Sequence, residues 1–220
     1  DGGPNWWEIY NGAYAGSPIG CDSNASRNGI TPVTNPVASV TSADIICTVL
    51  IFFGDATCAN GTVQAAGSGT PALLRVADVH GEAGAQVQVP IVLTGGNQTI
   101  AAASFTIAYD SSQLTFDPTD GDGDGIPDAL TFALPAGVQT WVRVEEGAIR
   151  IALAGLRLPL PHLADGTPVT VTFQVNATGS TVTLRDASFG DAQGNPLPAI
   201  TQDGSVGSQA IQLFLPLITR

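Results

Sequence analysis

The chain contains no lysine and no methionine, only two histidines and three cysteines, and charged residues make up just 12% of its 220 positions. Each shortage excludes something. Without lysine, the basic side chains reduce to seven arginines against 19 acidic residues, a formal net charge of −12. A nucleic-acid binder needs a cationic stripe that displaces phosphate counterions, so nucleic acid is not expected as a partner. Anionic membrane surfaces are disfavoured on the same ground. No apolar run reaches the roughly 18 residues of a bilayer-spanning helix, so no membrane span is expected. The two histidines, His80 and His162, and the lack of any CxxC pair leave zinc without a ligand set. Neither histidine belongs to a GxSxG or HExxH motif, and Glu145-Glu146 reads as a solvated pair at a strand turn, so the protein is not expected to be an enzyme. A chain that starts at Asp1 and lacks methionine reads as processed, with its export signal removed and an extracellular, cell-surface destination.

What is present points to strands. Hydrophobic residues make up 44% of the chain, with 26 glycines and 15 prolines. That is the composition of short strands joined by tight turns. From Leu73 onward the apolar period is two: Val87, Val89, Ile91 and Leu93, then Phe105, Ile107 and Tyr109. Ile149, Ile151 and Leu153 repeat it, as do Val169, Val171, Phe173 and Val175, and finally Val182 and Leu184. Strands with one apolar face at short intervals predict an all-β sandwich over residues 71–206.

The flanks differ. Residues 1–39 form an extended Gly-, Asn- and Ser-rich segment with aromatics at Trp6, Trp7, Tyr10 and Tyr14, and show no regular period. In residues 40–70, Thr41 or Ser42 serves as an N-cap, Asp44 supports the first turn and Gly54 terminates it, so a helix is favoured over a strand. Ile45, Val49 and Phe52, with Ile46, Leu50 and Phe53, make that helix apolar nearly all round, so it must be buried against something. Residues 207–220 form an apolar terminal strand around Phe214, suited to an edge of this sheet or of another molecule's. Cys21, Cys47 and Cys58 allow one disulfide; Cys47–Cys58 closes a short loop and is favoured over pairings with Cys21. Asn24, Asn60, Asn97 and Asn176 each begin an N-glycosylation sequon, in keeping with export.

The order of several stretches resembles one family. Leu74 to Pro90 (LRVADVHGEAGAQVQVP), Ala103 to Leu114 (ASFTIAYDSSQL), Asp165 to Val175 (DGTPVTVTFQV), Phe189 to Gly194 (FGDAQG) and Asp203 to Val206 (DGSV) are together similar to a cohesin domain. The resemblance implies a non-catalytic, nine-stranded jelly-roll sandwich at residues 72–206 that binds dockerin modules through one sheet face. Residues 33–54 are similar to half of a dockerin, the calcium-loop-plus-helix partner of that family. At the ligand positions, however, stand Val33, Asn35 and Val37, so the helix is expected to persist as a packing element without its metal.

The strongest chemical motif is Asp120-Gly-Asp122-Gly-Asp124-Gly-Ile126-Pro-Asp128. Ca²⁺ takes six to eight oxygen ligands in flexible geometry. An aspartate at every second position aims carboxylates at one point, while the glycines let the chain curl. Asp120, Asp122 and Asp124 would bind through their side chains, Ile126 through its carbonyl, and Asp128 directly or through water, with Asp117 as a substitute. The twelfth position of an EF-hand loop is Thr131 here, not glutamate. The expected role of the loop at 117–128 is structural.

Both halves of a recognition pair in one chain suggest self-assembly: an extracellular calcium-stabilised protein joined head-to-tail into a surface filament or sheath. Trp6, Trp7, Ile45, Val49, Phe52 and Phe214 are its candidate contact residues. The alternatives are a monomeric cohesin-type adaptor that binds a dockerin-like partner, with the helix on its own sandwich, or a carbohydrate-binding module using Trp6 and Trp7 against cell-surface polysaccharide.

Overall fold

The computed structural model describes Ile46 and residues 70–207. Thirteen strands make up the described part: β1 (Ala72–Val76), β2 (Val79–His80), β3 (Gln86–Thr94), β4 (Ala102–Tyr109), β5 (Leu114–Phe116), β6 (Leu130–Phe132) and β7 (Val138–Glu145), followed by β8 (Ala148–Gly155), β9 (Gly166–Val175), β10 (Ser180–Gly190), β11 (Pro196–Leu197), β12 (Ala199–Gln202) and β13 (Gly204–Gly207). They form two sheets. Sheet A runs β12-β1-β3-β9-β5, with β6 also on β9; sheet B runs β2-β13-β10-β4-β8-β7, with β11 on β10. Pairing is antiparallel except where β12 joins β1 and β13 joins β2. No helix among the described residues is long and apolar enough to cross a membrane.

The alternating runs build the core as expected. Val89, Ile91, Val169, Val171 and Phe173 of sheet A meet Phe105, Ile107, Ile149, Ile151 and Leu153 of sheet B in one buried cluster. Full burial of each such side chain stabilises the fold by roughly 1.5–3 kcal/mol relative to exposure. Phe173 sits at the centre, tilted against Tyr109 with ring centroids 4.9 Å apart and edge-on to Phe116 at 6.1 Å.

The strand count exceeds the nine of the family resemblance because several elements are fragments. β5 and β6 are each three residues long and both pair with β9, at Leu114↔Val175 and at Leu130↔Val171. The acidic loop is the insertion between them. Strand β7 escaped the reading of the sequence, although Val138, Thr140, Val142 and Val144 alternate in the same way.

Candidate interaction face and acidic loop

The outward side chains of sheet B are set by register. On one rung lie Gly190, Ala102, Ala154 and Gln139; on the next, Ser188, Ser104, Ala152 and Trp141. The third holds Arg185, Thr106, Arg150 and Arg143, and the fourth Thr183, Ala108, Ala148 and Glu145. The face therefore has two halves, one of small apolar residues beside an indole and one of arginines.

The apolar half is covered. Ala102 and Ala154 have 0% exposure, though they point away from the core. They form a second cluster with Ala101, Leu160 and Ile46, against which Trp141, Leu156 and Ala192 pack. Ile46 is helical and fully buried there. The surface that buries it is its own sandwich; the other residues of the expected helix lie outside the described ones. The arginine half is open: Arg143 and Arg150 are exposed and share Glu145, Arg143 Nε at 3.0 Å from Oε1 and Arg150 Nη2 at 3.5 Å from Oε2. Arg185 is exposed beside a bulge, where Asp186 takes a φ of 53° and its Oδ2 accepts a hydrogen bond from the Thr106 hydroxyl at 3.5 Å.

Sheet A presents a different exterior. Gln86, Gln88, Thr170, Thr172 and Gln174 face outward from β3 and β9, and Leu73, Arg75, Val92 and the exposed Ile200 face the same way toward the β12 edge. Near the acidic loop a groove of mixed character is lined by Gln86, Thr115, Asp117, Asp128, Thr172 and Gln174 together with Phe116, Pro118 and Ala129.

The loop itself is a closed ring. Asp128 N–H donates to the Thr119 carbonyl at 2.8 Å and fastens its neck. Ile126 turns its side chain onto the sandwich core as an anchor. Backbone N–H groups point inward at carboxylates: those of Gly123 and Asp124 reach Asp120 Oδ1 at 2.7 and 3.2 Å, and that of Gly125 reaches Asp120 Oδ2 at 2.8 Å. Asp124 N–H also bonds Asp122 Oδ1 at 3.2 Å, and Ile126 N–H bonds Asp124 Oδ1 at 2.8 Å. Gly123 and Gly125 have φ of 75° and 88°, which a side chain would strain. The Gly125 N–H is the main cause holding the Asp120 carboxyl below its ordinary pKa, against partial desolvation, with Gly123 adding to it.

Asp120, Asp122 and Asp124 each place a carboxylate oxygen within 4.8 Å of the others. A set of hard oxygens gathered by alternate residues suits Ca²⁺. Asp117 and Asp128 lie outside this trio: Asp117 Oδ1 takes the Thr119 hydroxyl and N–H at 2.6 and 3.0 Å, and Asp128 Oδ2 takes the Gly121 N–H at 3.2 Å. The Thr119 hydroxyl is the main cause lowering the pKa of Asp117. Thr131, the counterpart of an EF-hand glutamate, belongs to β6 and pairs with Thr170.

Two of the four sequon asparagines are described. Asn97 is exposed between β3 and β4, its Oδ1 accepting from Thr70 N–H at 3.1 Å; Asn176 is exposed after β9, its Nδ2 donating to the Thr115 hydroxyl at 2.9 Å. Trp6, Trp7, Asn24, Ile45, Cys47, Val49, Phe52, Cys58, Asn60 and Phe214 lie outside the described residues. The apolar patch on sheet B was not foreseen. Its only sequence signal is alanine at alternate strand positions, Ala102 on β4 with Ala152 and Ala154 on β8, where exposed strands usually carry polar residues.

Comparisons with known proteins bear on the fold. The cohesin domain family matches residues 74–207. Among solved structures, the sixth cohesin of scaffoldin B from Acetivibrio cellulolyticus, in complex with a Cel5 dockerin mutant, superposes with a TM-score of 0.52 at 23% identity, covering 64% of this chain and 100% of that one. A non-cellulosomal cohesin from Archaeoglobus fulgidus gives 0.51 at 18% identity, covering 62% and 90%. A type I cohesin of Clostridium thermocellum, solved with its dockerin, gives 0.51 at 17%, covering 65% and 97%. No protein of curated function matches in sequence. With the family match spanning more than half its length, and with two sheets of the expected jelly-roll kind, the chain belongs to the cohesin domain family.

Proposed function

We propose that this protein is an extracellular, non-enzymatic recognition module that takes up a dockerin-like partner through the outer face of sheet B. Membership of the cohesin family makes the sandwich a protein–protein interaction module. The observation that carries the finer reading is the contrast between exteriors. Sheet B offers small apolar residues, Trp141 and a rung with three arginines, whereas the middle of β3 and β9 on sheet A offers glutamines and threonines, with Leu73, Val92 and the exposed Ile200 lying toward its β12 edge. Small residues let a partner backbone approach, and an aromatic next to arginine is the usual make-up of an interface centre. A chain of net charge −12 that gathers Arg143, Arg150 and Arg185 on one face selects an acidic partner. Solved cohesins with dockerins bound share this fold.

Calcium completes the reading. Ca²⁺ held by Asp120, Asp122 and Asp124 would neutralise a crowded trio and stiffen the insertion between β5 and β6. Ile126 would transmit that order to the core, since its side chain already packs there. Self-assembly into a filament requires the Ile46 helix to dock on a neighbour; the burial of Ile46 on its own sandwich supports the monomeric adaptor instead.

Titration calorimetry with a panel of purified dockerin modules tests the proposal. A member of the panel should bind one to one, and Arg150→Glu with Arg185→Glu should weaken it about tenfold or more. Binding that is indifferent to both arginines, or a complete failure of the panel alongside capture by insoluble polysaccharide, would overturn it. Size against concentration separates the adaptor from a polymer: the adaptor stays near 22.4 kDa.

A further inference from the structure

We infer that Ile46 is a built-in competitor for the interaction face, seated in the apolar half of sheet B so that an outside ligand must displace it. This rests on the proposed role of that face and concerns its regulation.

Three observations converge on the seat. First, it is made of residues that the core does not need. Ala102 and Ala154 point outward, opposite each other across β4 and β8, and Ala101, Leu160, Leu156 and Ala192 come from the turns around them. An outward patch of alanines on a sheet is costly to leave wet and is expected to be filled. Second, the occupant is a large β-branched side chain brought from far away in sequence. Ile46 lies 26 residues before Ala72, the first residue of β1, and yet is 0% exposed. Third, the occupancy is partial. Ile46 covers the rung of Ala102 and Ala154, while the rung of Arg185, Arg150 and Arg143 stays in solvent. An acidic partner can therefore make its first contacts on the arginines before the isoleucine leaves.

The contact is also of the right size for a switch. One buried isoleucine is worth about 10- to 100-fold in an equilibrium constant, enough to tune binding without closing the face permanently. A state populated against such a competitor loses apparent affinity by the same factor.

The test uses the full-length protein and a synthetic peptide of its own residues 40–54. Wild type should bind the added peptide weakly, because its own Ile46 holds the seat. Ile46→Asp should bind it about 10- to 100-fold more tightly. Ala192→Arg or Trp141→Ala, placed in the Ile46→Asp background, should remove that gain. Equal affinity of wild type and Ile46→Asp would overturn the inference, as would no binding by a folded Ile46→Asp. Concentration-dependent dimers of wild type that Ile46→Asp abolishes would overturn the assignment in cis, making a second copy the occupant. If Ile46→Asp fails to fold, hydrogen exchange on Ile46→Ala decides: faster exchange confined to β4 and β8 near Ala102 and Ala154 supports the seat, and unchanged exchange there overturns it. Since the probe is this chain's own peptide, failure of every dockerin to bind would sink the proposed partner and leave the seat standing.

Discussion

The two outer faces of the sandwich are made from strands of similar length, packed against the same core, yet they treat alternate residues in opposite ways. On sheet A, the outward positions along the middle of β3 and β9 are Gln86, Gln88, Thr170, Thr172 and Gln174, all solvated to some degree, with Pro90 and Val92 further along β3 and a buried Pro168 further along β9. On sheet B, the equivalent positions of β4 and β8 include Ala102, Ala152 and Ala154, all buried. A solvated stretch of sheet and a covered one can therefore be told apart from register plus burial. The difference teaches that exposure by geometry and exposure to solvent are separate properties, and that their disagreement marks where another part of the chain covers a sheet.

The sharpest way to break that contrast is to place the same bulky charge on each face. Ala154→Arg puts a guanidinium into the fully buried cluster with Ile46 and Leu160. Overpacking together with an unpaired buried charge should cost about 3 kcal/mol or more. For a chain of this size that lowers the melting temperature by roughly 6–12 °C. Thr172→Arg, outward on sheet A and half exposed, should stay within about 0.5 kcal/mol of wild type. Thermal melts of the two variants side by side check this; similar losses in both would show that the faces are equivalent.

The next effect in size belongs to sheet A, whose edge carries the acidic loop between β5 and β6. If Ca²⁺ is held there at about 100 times its dissociation constant, it adds about 2.7 kcal/mol. Chelation should then lower the melting temperature by roughly 5–11 °C. Hydrogen exchange should quicken over residues 117–130 and not on the outer face of sheet B. Asp122→Ala should reproduce both changes and become insensitive to chelator. A melt unchanged by chelator would leave the loop as a ring held by its own backbone bonds to Asp120 and Asp124.

What could be read from the sequence follows the range of the interactions involved. The inner faces were legible because Val87, Val89, Ile91 and Leu93, and Val169, Val171, Phe173 and Val175, each declare a period of two within one strand. The loop was legible because its trio of aspartates comes from five consecutive residues. The sheet B patch was not, because no single strand carries it. Trp141 meets Ala152, and Ala154 meets Ala102, only when β7, β8 and β4 are in register. Alanine is also a weak strand former, so its alternation at Ala152 and Ala154 is a faint signal beside that of valine or isoleucine. Spacing also places Asp117 and Asp128 beside the aspartate trio, and only the folded loop shows one oxygen of each held by Thr119 and by Gly121.

The smallest expected effect lies at the seam where the chain passes from sheet A to sheet B. Asp78 follows β1, at the edge region of one sheet, and precedes β2, in the other. Its Oδ1 accepts both the hydroxyl and the N–H of Ser205 on β13, each at 2.8 Å. The Ser205 hydroxyl is the main cause holding the Asp78 carboxyl below its ordinary pKa, with the Ser205 N–H next. A carboxyl depressed in the folded state stabilises that state fully above its unfolded pKa of about 4, and the contribution is lost as the pH falls through the lower folded value. Asp110, depressed chiefly by the Ser112 hydroxyl in the turn after β4, adds in the same window and the same direction. Asp78→Asn keeps the shape and an acceptor oxygen but cannot titrate. It should melt slightly below wild type at pH 7, and the gap should close as the pH falls below about 4 and through the lowered folded value, where wild type becomes protonated. Because the group is fully exposed, added salt should leave the gap largely intact if the hydrogen bonds to Ser205 carry it and erase it if general charge does. A gap that persists undiminished at pH 2 would mean that Asp78 joins the two sheets by shape alone.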